Sequence, residues 1–64
     1  MTAESAQKIR ELEIDRKKAQ ERLFRQFATS PMTVMDYESR SRAIDMKFAR
    51  EEALIILAAI MQNQ

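Results

Sequence analysis

The nine residues Ala28-Thr29-Ser30-Pro31-Met32-Thr33-Val34-Met35-Asp36 decide how this chain folds. They contain the only proline among 64 residues, and the chain has no glycine, so its one strong break falls almost at the midpoint. Proline pushes the residue before it, Ser30, out of the helical region. Ala, Leu, Glu, Lys, Arg, Gln and Met dominate both flanks, and these are strong helix formers. The sequence therefore predicts an all-α fold, with a first helix near residues 3–28, a turn near 29–33 and a second helix near 34–62.

The signals around the break agree with this division. Thr33 can cap the second helix, with Asp36 at its third position and Met32 stapled against Tyr37. Ser30 as the cap with Pro31 first in the helix is the competing start. Asp36 and Glu38 suit the positive end of the second helix, and Arg22 and Arg25 the negative end of the first. At 1.5 Å per residue each helix is about 40 Å long, and a connection of about five residues turns them antiparallel, which makes a single-domain helical hairpin.

Working outward, the first helix carries one apolar stripe, Ile9, Leu12, Ala19, Leu23 and Phe27, at helical spacing. Ala6 and Phe24 widen one edge of it, and Ile14 stands alone on the charged face. Arg16 occupies a stripe position where an apolar residue belongs. A turn centred near residues 30 and 31 sets it opposite Asp45. This pair is read either as an arginine whose stem lies on the core while its head reaches solvent, or as a pin that fixes register.

The second helix carries two stripes. Val34, Tyr37, Ser41, Ile44, Phe48, Ile55 and Ala59 are wide enough to cover the first helix. Met35, Met46, Ala49, Ala53, Ile56 and Ile60, interrupted by Ser39 and Arg42, follow coiled-coil steps about 130° further round. Past Glu52 every face is apolar, with Leu54, Leu57 and Met61 joining the stripes in an unbroken run from Ala53 to Met61. A two-helix hairpin cannot bury both stripes, and 64 residues give only a thin core. The expected support is a second chain. A homodimer would form a four-helix bundle, and a different protein could instead take the Met- and Ala-rich seam through apolar helix contacts. The residues expected to bind are Met35, Met46, Ala49, Ala53, Ile56, Leu57, Ile60 and Met61, with Ile14 and Phe24 as outliers.

Chemistry is conspicuous by what the composition leaves out. The chain has no His and no Cys, so the usual general base, thiolate nucleophile and nitrogen or sulfur metal ligands are missing. No enzyme activity, cofactor, metal or small-molecule substrate is expected. Eleven basic against ten acidic residues give a net charge of +1, and Glu4/Lys8, Glu13/Lys17, Glu21/Arg25, Asp36/Arg40 and Glu38/Arg42 have the spacing of solvated helix pairs. Nucleic acid is thus a secondary expectation: a dimer gripping structured RNA or DNA through the basic face formed by Arg16, Lys17, Lys18, Arg22 and Arg25. The longest apolar run is too short to span a bilayer. No signal peptide is legible at the N-terminus, and a cytoplasmic location is expected.

The hairpin layout with a proline near the midpoint and a stretch containing Glu51, Ala53 and Ile56 resembles small co-chaperones of type III secretion needle subunits. It is equally similar to small phage or plasmid proteins that dimerise as hairpins and inhibit or adapt a host protein. Both resemblances imply a helical module acting by protein contact, as adaptor, inhibitor or chaperone, and neither assigns a role to a particular residue.

Overall fold

The computed structural model of the protein describes residues 2–62. Two helices, α1 (Ala3–Thr29) and α2 (Val34–Gln62), pack against each other, and there is no strand among the described residues. Thr2 caps α1, its hydroxyl accepting from the Ser5 backbone N–H at 3.1 Å. The helix stops where proline requires it. Ser30 is extended at φ −125° and ψ 153°, and its N–H donates to the Gln26 carbonyl. Neither Arg22 nor Arg25 reaches the last turn of α1. Of the two possible starts for the second helix the chain takes Thr33, whose hydroxyl accepts from the Asp36 N–H at 3.1 Å.

Three cross-helix pairs define one register: Arg16 with Asp45, Gln20 with Ser41, and Phe24 with Tyr37. In each the two residue numbers add to 61. All five residues of the α1 stripe are covered at least in part, with Leu23 at 5% exposure. On α2, Tyr37, Ser41, Ile44, Phe48, Ile55 and Ala59 face them, and Ala59 is also 5% exposed. Val34 departs from expectation. It is largely exposed, because Phe27 stacks on Tyr37 instead, with ring centroids 4.8 Å apart.

Leu23 and Ala59 are the only buried residues described, and the shape explains why. The molecule is a ribbon of 50 × 17 × 8 Å with a radius of gyration of 15.0 Å, against about 11 Å for a compact chain of this length. Its surface of 5340 Å² exceeds the roughly 4,200 Å² of a compact monomer of this mass by on the order of 1,100 Å². Among the described residues, no helix is long and apolar enough to cross a membrane.

Candidate interaction surfaces

A ribbon one helix thick has two broad sides and two edges. In an antiparallel pair, side chains rotated in the same sense from the contact line share one broad side. At 100° per residue, the first side collects Ala6, Glu13 and Phe24 from α1 with Ala49 and Ile56 from α2. Met35, Ala53 and Ile60 lean from this side toward the outer edge of α2, and Met46 and Leu57 stand on that edge. Most of the expected seam thus lies along one shoulder of the ribbon, continuous from Met46 to Ile60 and separated from Met35 by Ser39 and Arg42. Met35 is 80% exposed, and Met46, Leu57 and Ile60 are each more than half exposed. Ile56 differs from its neighbours, being half-buried under α1.

Three expected members lie apart. Met61, with Leu54, turns to the second broad side, while Ile14 is on the outer edge of α1, diametrically away from α2. Phe24 is on the first side but already engaged, meeting the Tyr37 ring edge-on at 6.5 Å.

A polar cluster occupies the middle of the hairpin. Arg16 Nη1 lies 3.5 Å from Asp45 Oδ1. Gln20 Nε2 donates to the same carboxylate oxygen at 3.1 Å and to the Ser41 carbonyl at 3.0 Å, and Ser41 Oγ donates to Gln20 Oε1 at 2.9 Å. Arg16 and Asp45 are both about half exposed, so their attraction is screened and worth at most about 1 kcal/mol. Gln20 and Ser41 are the more covered pair. Sequence reasoning singled out Arg16 and missed Gln20, because a polar residue flanking an apolar stripe looks solvated. The signal that could have found it is Ser41, a small hydroxyl inside the facing stripe and opposite Gln20 in register.

Around the middle of the hairpin the two sides differ in charge. On the first, Glu13, Lys17, Glu38 and Arg42 balance one another. On the second, a groove of about 490 Å³ runs between the helices over Ala19, Leu23, Ala43, Ile44 and Phe48, rimmed by Arg22, Arg40 and Lys47 with Asp15 as the one acid. Of the five expected i, i+4 ion pairs only Lys8–Glu4 closes, at 3.7 Å. Among the described residues the rim cations have no carboxylate within 4 Å.

The residues of the basic cluster of α1 have different surroundings. Arg16 is held at Asp45, Arg22 lines the second-side groove, and Arg25 lies beside Phe24 and Tyr37 on the first. Compared with known proteins, the chain matches no family model, no curated protein and no solved structure.

Proposed function

We propose that this chain is a non-enzymatic protein–protein interaction module that works in pairs, the shoulder of each hairpin where the first side meets the outer edge of α2 packing on the same shoulder of a second copy to make a four-helix bundle. The observation that carries this is the exposed seam. Met35, Met46, Leu57 and Ile60 stand along one shoulder more than half open to water, beyond the scattered apolar exposure ordinary for a monomer.

Area and charge support the same occupant. The excess surface, on the order of 1,100 Å², is comparable to the roughly 800 Å² each partner contributes to a stable complex. Glu13, Lys17, Glu38 and Arg42 carry equal numbers of each sign, so pairing these surfaces gathers no net charge of one sign. Small Ala49 and Ala53 allow close approach, and the long side chains of Met35 and Met46 fill irregular space around them. Binding energy would concentrate in the few large members, Met35, Met46, Leu57 and Ile60, with Ile56 and Phe24 beside them.

Light scattering across about a hundredfold dilution tests this, since mass action makes assembly concentration-dependent. The unchanged protein is expected at twice its 7.5 kDa chain mass. Met46→Glu with Ile60→Glu is expected at the monomer mass with helical circular dichroism retained, and Ile14→Glu at the dimer mass. A monodisperse monomer for the unchanged protein at every concentration, or dissociation by Ile14→Glu equal to that of the seam variant, overturns the reading.

A further inference from the structure

The second side of the ribbon has a different character, and we infer that its groove binds an acidic amphipathic helix, which would complete a three-helix bundle with α1 and α2. The floor is apolar and channelled because Ala19 and Ala43 are small, leaving about 490 Å³ above Leu23, Ile44 and Phe48. An apolar ridge repeating at i, i+3 and i+7 on a third helix fits such a trough.

The rim identifies the chemistry. Arg22 and Arg40 face each other across the groove near the turn, as the 61 register requires to within one residue. Two turns along α2, Lys47 faces Asp15 in the same way. An occupant is therefore favoured when it carries carboxylates on both flanks near the turn. Further along it needs a carboxylate on the α2 flank and a cation on the α1 flank. That contrast gives the bound helix a direction as well as a charge.

Competing occupants fit less well. A second copy would set Arg22, Arg40 and Lys47 against their own duplicates, with Asp15 on the rim and Asp36 beside Arg40 as the nearby acids. A phosphate backbone would meet the cations but leave the apolar floor unused, and the one aromatic ring in the groove, Phe48, is half-buried with Lys47 over it. The inference does not depend on self-association of the opposite side, and the two fail separately: light scattering reports one and peptide binding the other.

The probe is a synthetic fluorescein-labelled helix with Leu at i, i+3, i+7 and i+10 and Glu flanking that ridge except for one Arg at the position that meets Asp15, followed by anisotropy on the full chain. A second peptide replaces each Glu with Lys. The Glu peptide is expected to bind, weakening as salt rises, and the Lys peptide to bind at least about tenfold more weakly. Arg40→Glu and Lys47→Glu, both at exposed rim positions, are each expected to weaken the Glu peptide about tenfold and to strengthen the Lys peptide. Ala43→Phe fills the floor and is expected to abolish binding of the Glu peptide, with the assembly mass unchanged. Equal binding of the two peptides, indifference to both charge reversals, or binding of an RNA duplex but not of the Glu peptide overturns the inference. Circular dichroism of each variant shows whether a loss reflects the groove, and because the two reversals lie on different turns, misfolding of one leaves the other as the test.

Discussion

Replacing Gln20 with alanine removes three hydrogen bonds that cross between the helices: those it donates to the Ser41 carbonyl and Asp45, and the one it accepts from the Ser41 hydroxyl. Each such bond contributes about 0.5–1.5 kcal/mol net, and with two of them half-buried and the one to Asp45 exposed they belong in the lower part of that range. The expected loss is about 1.5–2 kcal/mol, a large fraction of the roughly 3–10 kcal/mol available to a chain of this length. Ser41→Ala removes only one of the three, because the bond to its carbonyl survives, and is expected to cost about 0.5–1 kcal/mol. The double variant isolates the Ser41 hydroxyl to Gln20 bond as a coupling of about 0.5–1 kcal/mol. Urea unfolding followed at 222 nm reads these values. With a slope near 1 kcal/mol per molar, Gln20→Ala lowers the midpoint by about 1.5–2 M. All four proteins are compared at one concentration, so that assembly contributes equally. A coupling within about 0.3 kcal/mol of zero, or a Gln20→Ala midpoint unchanged from the parent, would refute the claim that this network holds the helices together.

Leu23→Ala truncates the one large side chain buried among the described residues and is expected to cost about 2–5 kcal/mol, enough for circular dichroism to show a largely unfolded dilute sample. Arg16→Leu is expected to behave in the opposite way. The ion pair it deletes is half exposed and the new leucine continues the Leu12 and Ala19 stripe, so unfolding should shift by no more than about 1 kcal/mol. With Gln20 and Ser41 still in register, the mass by light scattering should be unchanged and amide spectra should show one set of resonances. Multiple conformers would return the pinning role to Arg16.

The hairpin was legible because its punctuation is local. Pro31 fixes Ser30 and ends α1, and Thr33 supplies the cap that starts α2. The α1 stripe was legible because burial follows the helical period, and Leu23 lies at its centre. What misled was chain-end geometry and polarity. Val34 has the right spacing to join the covered stripe, yet at the first turn of α2 its place opposite Phe27 is taken by Tyr37. Met61 reads as part of the seam until its rotation about the helix is followed to the second side. The second-side groove was the least legible feature. Arg22, Arg40 and Lys47 come from two helices and are far apart in sequence, so no window along the chain shows them as a cluster, and the overall charge of +1 conceals it.

The four residues Ser30–Thr33 between α1 and α2 also govern molecularity. Every register pair that closes the hairpin could equally close between the α1 of one molecule and the α2 of another, were the connection to straighten. Straightening would fuse the helices into a rod of about 90 Å. Pro31 opposes it, since a proline inside a continuous helix costs about 3 kcal/mol and Ser30 is held extended before it. A single imino acid thus biases each chain to complete its own fold before it meets another, so that pairing joins finished hairpins and not halves exchanged between strangers.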